Sequence, residues 1–282
     1  MTVCEKAPAK INLGLCITGR RADGYHDILS IFQTVDLFDT LCISREGGER
    51  LICSAPDVPS GADNLVLRAE ESFCSRFGIS TRVSFTLEKR IPVGGGLGGG
   101  SSDAAAALRG LRTVHGIDAS DEELCRIAGK LGSDIPFLVK GGTAVVSGRG
   151  DIITEVQWPF DLTYVLVHPG FGVSTSWAYS TVTDYGRKYE QYRGATEKLL
   201  DGVLSQDEFF DAVSNDFESV VYGSYPVLEN IRSELLAHGA RRALLTGSGS
   251  TMVGMFEESE AAHACASKLK LQGFETFVVK AC

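Results

Sequence analysis

The sequence has no excess of basic residues, no long apolar run and no clustered cysteines. Its 36 Asp and Glu outnumber its 27 Lys and Arg, which gives a net charge of −9. A general nucleic-acid-binding protein needs a basic surface for phosphate contacts, so we expect no nucleic-acid partner. No stretch approaches the ~20 apolar residues of a membrane span, and the first residues do not resemble a secretion signal. We therefore expect a cytoplasmic protein without a membrane partner.

The eight cysteines are scattered along the chain, without a Cys-x-x-Cys pair or a Cys/His cluster. Cysteines in this arrangement in a cytosolic protein are typically reduced and buried. The sequence therefore predicts reduced thiols, with neither a disulfide framework nor a zinc site.

The order of the predicted strands and helices indicates an α+β fold, because strand runs and helix runs are partly segregated along the chain. Apolar residues alternate over residues 10–17, which predicts a half-buried strand with Lys10 and Asn12 together on its other face. The length of 282 residues suggests about two domains. The predicted domain boundary, where strand-rich sequence ends, divides the chain into residues 1–155 and 156–282.

A dense glycine segment lies between a predicted strand and a predicted helix at 104–114, and six of the seven residues from 94 to 100 are glycine. We expect Ser101 or Ser102 to cap this helix and Gly116 to end it. Glycine allows positive φ and a close approach of the backbone to a ligand. The beginning of a helix offers unpaired amides and the positive end of the helix dipole. Together these features predict a cradle for phosphate groups.

The glycine segment differs from three well-known phosphate-binding loops. It is not a Walker A loop, because no Gly-Lys-Ser/Thr follows. Gly94, Gly96 and Gly99 match the spacing of a dinucleotide-binding loop, but that fold needs an acidic residue at the end of a second strand. The nearby acids Asp118 and Asp121 instead lie at the start of a predicted helix. The catalytic loop of protein kinases is also missing.

The segment Pro92–Ser102 resembles the second signature of the GHMP kinases, a family of small-molecule kinases. Ala7–Leu13 resembles the first signature and Leu245–Ser250 the third, in the same order along nearly the whole chain. On these three blocks the sequence is identified as a member of that family. Arg21–His26 and Leu131–Phe137 further resemble the members that phosphorylate a cytidine-diphosphate alcohol of the non-mevalonate isoprenoid pathway.

The resemblance implies a two-domain GHMP kinase fold. Its N-terminal, ATP-binding domain would be like domain 2 of ribosomal protein S5, and its C-terminal, substrate domain would be ferredoxin-like. It also implies transfer of phosphate from ATP, with Mg²⁺, to the 2-hydroxyl group of the cytidine-diphosphate alcohol. We expect a monomer or a weak homodimer. Two alternatives stay open: a related kinase acting on mevalonate, homoserine or a sugar, and a non-catalytic ligand sensor with the same fold.

Phosphoryl transfer needs a phosphate cradle, a group that accepts the proton of the attacking hydroxyl, and a cation near that oxygen. Asp134 lies in an apolar block at the start of a new element, where we expect it to accept amide hydrogen bonds. By pattern alone it fits a helix N-cap as well. By pattern alone, Lys10 likewise fits either a solvent-exposed surface lysine or the cation that is needed near the attacking oxygen. The resemblance assigns catalysis to both residues, with Asp134 as the base.

The resemblance also implies that Tyr25 and Tyr179 stack on the two faces of cytosine and that His26 hydrogen-bonds its edge. The predicted substrate-binding residues are Asn12, Tyr25, His26, Thr175, Tyr179, Gly247, Ser248 and Gly249. The predicted ATP-binding residues are Pro92, Gly94, Gly95, Gly96, Leu97, Gly98, Gly99, Gly100, Ser101 and Ser102. No residue is predicted to be a protein ligand of Mg²⁺.

Overall fold

The structure, a computed structural model, describes residues 2–45 and 49–282 and has a mixed α+β architecture. Its strands are β1 (Thr2–Arg20), β2 (His26–Ser44), β3 (Leu51–Cys53), β4 (Ser84–Glu88), β5 (Thr143–Gly148), β6 (Ile152–Val156), β7 (Thr163–His168), β8 (Arg242–Leu245), β9 (Met252–Phe256) and β10 (Glu275–Val279). Its helices are α1 (Leu65–Phe77), α2 (Gly99–His115), α3 (Asp121–Ala128), α4 (Ile135–Lys140), α5 (Thr175–Thr181), α6 (Tyr189–Leu200), α7 (Gln206–Ala212), α8 (Glu218–Ser224), α9 (Pro226–Ala237) and α10 (Ser259–Leu271).

The larger sheet has six strands in the order β3-β4-β2-β5-β6, and β1 pairs with β2. Strand β2 runs antiparallel to β4 and β5, while β3 and β4 are parallel. Strand β1 is buried without interruption from Ala9 to Ile17. The prediction of a half-buried strand is therefore wrong, because the face that carries Lys10 and Asn12 is covered as well as the apolar face.

Gly14 shows how the second face of β1 is covered. Its φ is +94°, and a Cβ atom there would lie 2.6 Å from the ring of Tyr192 on α6. The Tyr192 hydroxyl donates to the carbonyl oxygen of Leu13 (2.6 Å) and accepts from the amide of Ile31 (3.0 Å). A side chain at position 14 would displace this ring, so the glycine is required for α6 to pack on β1.

The smaller sheet is antiparallel throughout, in the order β10-β7-β9-β8. Along the chain it is built as a strand, a group of helices, two strands, a helix and a last strand. This succession is ferredoxin-like, as the resemblance implies for the C-terminal part of the chain. Leu235 of α9 and Leu269 of α10 are buried in the same core cluster as Val165 of β7.

The chain forms two compact units, and both are discontinuous in sequence. Unit 1 comprises the described residues of Met1–Lys10, Leu37–Val93 and Gly98–Gly141. Unit 2 comprises Ile11–Asp36, Gly94–Leu97 and Gly142–Cys282. Strands β1 and β2 and the glycine segment thus contribute residues to both units. The division into domains 1–155 and 156–282 does not coincide with these units and stays a prediction.

Cys4 and Cys42 form a disulfide, with their Cα atoms 4.0 Å apart. The prediction of reduced thiols is therefore wrong for this pair, which the pairing of β1 with β2 brings together. Among the free cysteines, Cys16, Cys74 and Cys265 are buried. No helix in the described part of the chain is long and apolar enough to cross a membrane.

Helix α2 begins earlier than the sequence predicts. Gly98 is its N-cap, with φ +68°, and the amide of Ser102 donates to the carbonyl oxygen of Gly98 (2.8 Å). Ser101 and Ser102 therefore lie within the first turn, and the prediction that one of them is the cap is wrong. A left-handed glycine turns the chain into the helix at this position, so no serine cap is needed. The predicted end at Gly116 is confirmed, with φ +64°.

Candidate active site

The predicted catalytic pair meets in unit 1. Lys10 lies on β1 and Asp134 immediately precedes α4, and the Lys10 Nζ atom is 3.3 Å from the Asp134 Oδ2 atom. The Lys10 side chain is only 6% exposed, so it is not the solvated surface lysine that its pattern also allowed. The Asp134 side chain is 33% exposed. A buried ammonium thus pairs with a carboxylate that is still accessible to solvent.

Asp134 occupies the N-cap position of α4, but its side chain makes no capping hydrogen bond. The expectation that it accepts amide hydrogen bonds from the beginning of this helix is therefore wrong. The carboxylate pairs with Lys10 instead. This arrangement disfavours the purely structural interpretation of Asp134 as a helix cap.

The stem of Lys10 lies against the beginning of α2. A Cβ atom on Gly98 would be 2.9 Å from the Lys10 Cγ atom, so only glycine leaves room for the lysine there. The first amides of this 17-residue helix have no partners within the helix. Ser102 is fully buried, and its Oγ atom has no hydrogen-bond partner among the described residues. Unit 1 therefore combines the charge pair with a helix beginning that can bind an anion.

A second charged cluster lies beneath the first turn of α2, and sequence reasoning missed it. The Lys89 Nζ atom is 2.8 Å from the Asp103 Oδ2 atom and also bonds Asp39. Burial raises the pKa of Asp103 to about 7, against the opposing effect of Lys89. Burial disfavours the charged form of Lys89, but Asp103 and Asp39 outweigh it and raise the pKa of this lysine. The signal in the sequence was a charged residue on each flank of the glycine segment.

The first half of the glycine segment belongs to unit 2 and packs on the turn that follows β8. A Cβ atom on Gly96 would lie 2.5 Å from the carbonyl oxygen of Thr246. The amide of Thr251 donates to the carbonyl oxygen of Gly95 (3.1 Å). Gly94 and Gly96 have φ values of +75° and +80°. Part of the glycine content therefore serves close backbone packing.

Two asparagines hold this turn in place. The backbone amide of Asn12 on β1 donates to the Thr246 Oγ1 atom (2.9 Å), and the Asn12 side-chain amide donates to the Ser30 Oγ atom (2.9 Å). The Asn215 side chain donates to the carbonyl oxygen of Gly247 (2.8 Å). Asn12 is 1% exposed, so the structure shows it positioning the turn. No feature of the sequence around Asn215 indicates that it contacts this turn.

The predicted hydroxyls of the substrate site come together in unit 2. The Thr175 Oγ1 atom at the beginning of α5 is 2.9 Å from the Ser248 Oγ atom. Thr175 is exposed and Ser248 is buried. Gly247 and Gly249 flank the serine with φ values of +57° and +88°. The turn and the helix therefore present hydroxyls and backbone groups side by side.

The predicted aromatic residues form a cluster, in an arrangement that differs from the expected one. The ring of His26 stacks on Tyr179, with centroids 5.0 Å apart and an interplanar angle of 17°. Tyr25 is 59% exposed, and the Arg149 guanidinium lies 5.2 Å from its ring centroid. In this structure His26 is the ring that faces Tyr179. The arrangement of Tyr25 and Tyr179 around cytosine stays a prediction.

The surroundings of His26 favour its neutral form. Burial lowers the pKa of its imidazole, and the nearby Arg20 lowers it further. The ring is therefore neutral near pH 7, with one nitrogen donating and the other accepting a hydrogen bond.

Tyr185 is a further aromatic residue at this cluster that sequence reasoning missed. Its ring meets His26 edge-on, with centroids 6.2 Å apart. The Asp216 carboxylate accepts from the amides of Gly186 (2.9 Å) and Ile17 (2.7 Å) and so ties the segment next to Tyr185 to β1. Nothing in the local pattern around Tyr185 indicates this contact.

Comparison with known families supports the class of protein that the fold and the charge pair indicate. Residues 64–142 match the family described as GHMP kinases N terminal domain, and residues 200–274 match GHMP kinases C terminal. The chain belongs to the GHMP kinase family, and it is accordingly an ATP-dependent kinase of a small molecule.

Its relatives include proteins named 4-diphosphocytidyl-2-C-methyl-D-erythritol kinase. The one from Syntrophotalea carbinolica is 38% identical over 97% of each chain. The one from Chlorobium phaeobacteroides is 40% identical over 91% of this chain and 90% of its own. A crystal structure of 4-(cytidine 5'-diphospho)-2C-methyl-D-erythritol kinase is 30% identical, with a TM-score of 0.81 and 99% of both chains covered. Homoserine kinase from Cytophaga hutchinsonii shares the fold, with a TM-score of 0.79 at 18% identity over 100% of this chain and 94% of that one.

Proposed function

We propose that this kinase transfers the γ-phosphate of ATP to the 2-hydroxyl group of 4-diphosphocytidyl-2-C-methyl-D-erythritol, a step in the formation of isoprenoid precursors. The observation that carries the proposal is the pair of Lys10 and Asp134, 3.3 Å apart, with Lys10 packed on the beginning of α2. The choice of alcohol rests on the relatives that carry this kinase's name and match nearly the full chain.

Asp134 accepts the proton of the attacking hydroxyl group. The transition state of phosphoryl transfer is loose, so the enzyme contributes mainly position and charge. A carboxylate that is one-third exposed is accessible to the hydroxyl group of a bound alcohol. Lys10, on the buried side of the pair, stabilises the negative charge that develops on the alcohol oxygen.

The first turn of α2 binds the phosphates of ATP. The amides of Gly99, Gly100 and Ser101 are unpaired within the helix and lie at the positive end of its dipole. The buried Ser102 hydroxyl, which has no partner among the described residues, fits a donor to a phosphate oxygen. Gly94 to Leu97 complete the segment in unit 2.

Mg²⁺ accompanies ATP in this chemistry and neutralises charge on its phosphates. The described residues contain no group of three His, Cys, Asp or Glu that would hold a metal ion. Mg²⁺ commonly keeps several waters and binds through substrate phosphates, so the proposal places the ion on the phosphate oxygens of ATP.

The aromatic cluster of unit 2 binds the cytosine base. His26 covers the face of Tyr179 in this structure, so cytosine stacks there when the imidazole turns aside. The neutral imidazole then offers a donor and an acceptor to the edge of the base. Tyr25, which is exposed, is available to close on the other face. The hydroxyls of Thr175 and Ser248, 2.9 Å apart, suit the diphosphate group.

The test is a phosphate-transfer assay with ATP and Mg²⁺ against the cytidine-diphosphate alcohol and a panel of mevalonate, homoserine and a sugar. We expect turnover of the cytidine-diphosphate alcohol alone, with the new phosphate on its 2-hydroxyl group by NMR. Faster transfer to another alcohol would assign the chain to a different reaction within the family. Binding of both ligands without transfer would indicate a sensor.

A further inference from the structure

The glycine segment from Pro92 to Ser102 begins and ends beside the same buried charged cluster. Lys89 lies three residues before the segment, and Asp103 follows it directly. The Lys89 Nζ atom is 2.8 Å from the Asp103 Oδ2 atom. This ion pair therefore joins the residue stretches that precede and follow the segment, which we call its two stems. Both partners lie in unit 1.

Asp39 of β2 fixes the stem on the strand side. Its Oδ1 atom accepts from the amides of Arg90 (2.5 Å) and Ile91 (2.8 Å), while its Oδ2 atom bonds Lys89. Asp39 is fully buried. A single carboxylate thus holds three consecutive residues before the glycine segment.

The ammonium of Lys89 lies directly against the first residue of α2. A Cβ atom on Gly99 would be 3.2 Å from the Lys89 Nζ atom and 3.1 Å from a methyl carbon of Ile91. Lys89, Asp39 and Asp103 each expose 6% or less of their side chains. The position of the first helical turn is therefore coupled to the position of this buried lysine.

Burying three charged side chains has a desolvation cost that apolar residues of similar size avoid. A segment with six glycines also loses much conformational entropy when it is ordered around a ligand. Joining its stems reduces the freedom that has to be lost on binding. The buried charges therefore contribute to ordering the glycine segment and not only to the stability of the fold.

We infer that Lys89, Asp39 and Asp103 form a clamp that positions the first turn of α2 for the phosphates of ATP. The three residues are positioning residues, and none is assigned a contact with ATP. The inference rests on the proposed function, because it takes the beginning of α2 as the phosphate site.

The experiment compares two substitutions at the same position. Asp103→Leu removes the ion pair with a side chain of the same branching at Cγ, whereas Asp103→Asn keeps an acceptor for Lys89. We expect Asp103→Leu to raise the Kd of ADP, measured by calorimetry, and the KM of ATP by ~10-fold, since small displacements of a binding group cost this much or more. Asp103→Asn should stay within about threefold of wild type, and the KM of the alcohol should change less than about twofold in both.

The matched control is Glu70→Gln on α1. Glu70 is a fully buried carboxylate of the same unit that accepts from the amide of Val83 (3.2 Å) and pairs with Arg50. Its loss should lower Tm without changing the Kd of ADP. Amide hydrogen exchange of residues 94–102 in the full chain should accelerate in Asp103→Leu and not in Glu70→Gln.

Lys89→Met removes the cation of the same clamp. It provides the same test of ADP affinity and hydrogen exchange if Asp103→Leu does not fold. Wild-type affinity for ADP and unchanged hydrogen exchange in a folded clamp variant would overturn the clamp alone. Absence of ADP binding by the wild type would contradict the proposed function and the clamp together.

Discussion

The functional residues predicted in unit 1 differ in chemical character from those predicted in unit 2. The predicted catalytic residues of unit 1, Lys10 and Asp134, are charged and paired, and Lys10 is almost fully buried. The predicted substrate residues of unit 2 are neutral rings and hydroxyls, such as His26, Tyr179 and Thr175. Phosphoryl transfer needs charge held in place, whereas a neutral base is recognised by flat surfaces and hydrogen-bonding edges. Substitutions of this charged pair should therefore change kcat, and those of the rings and hydroxyls of unit 2 should change the KM of the cytidine substrate.

The largest effect is expected at Asp134. Asp134→Asn keeps the shape of the side chain but removes its capacity to accept a proton, so kcat should fall by ~10³-fold. The Kd of ADP should change less than about twofold, because the beginning of α2, which is proposed to bind the phosphates, is unchanged. Single-turnover phosphate transfer and calorimetry measure the two quantities. Turnover comparable to wild type would remove Asp134 as the base.

A smaller loss of kcat, ~10²-fold, is expected for Lys10→Met, because the charge that stabilises the developing alkoxide is lost while the base remains. Lys6→Met is the matched control. Lys6 is an exposed lysine of the same strand whose ammonium lies 4.8 Å from the ring centroid of Phe38. Steady-state kinetics should show no effect at Lys6. Equal losses in the two variants would indicate a long-range effect of net charge rather than a local role.

In unit 2, Tyr179→Ala should raise the KM of the cytidine substrate by ~10-fold, since stacking of a base on an aromatic ring contributes about 1–3 kcal/mol. Tyr179→Phe should keep wild-type values because the ring face is preserved. The KM of ATP should not change in either variant. Tyr25→Ala tests the second face of the base, and a wild-type KM there would exclude Tyr25 from cytosine binding.

The smallest effect is a pH dependence carried by His26. Burial lowers the pKa of its imidazole, so the ring loses its acceptor nitrogen only at a pH below the usual histidine range. The KM of the cytidine substrate should be constant between about pH 7 and 8 and rise by ~2-fold as the pH reaches the lowered pKa. His26→Gln, which does not titrate, should abolish this rise. A rise of the same size in that variant would assign the titration to another group.

Local patterns predicted some elements well. The alternation of Val83, Phe85 and Leu87 predicts the strand β4 (Ser84–Glu88), and an apolar stripe at helical spacing over residues 64–77 predicts α1 (Leu65–Phe77). Both patterns depend only on residues close together in the chain. The beginning of α2 was predicted too late, because a serine pair is a common cap and the left-handed Gly98 that takes this position has no distinct signal.

The partners of buried polar residues were not predictable in the same way. The amide of Asn12 donates to a hydroxyl 234 residues away, on Thr246. Lys89 and Asp39 are 50 residues apart, and Cys4 and Cys42 are separated by 38. Each contact forms only when strands pair or helices pack, and no spacing in the chain indicates it. Lys10 and Asp134 were paired in advance through their resemblance to family signatures rather than through the local pattern.

The amino-acid sequence by itself determined the glycine segment before α2, the α+β order of elements and the family to which the chain belongs. These features depend on residue types at short range and on motifs in a set order. Only the tertiary structure decided that Lys10 is buried, that His26 rather than Tyr25 faces Tyr179, and that Lys89 ties together the stems of the glycine segment. The physical reason is that burial and charge pairing depend on which surfaces meet when the chain folds, and distant residues meet only there.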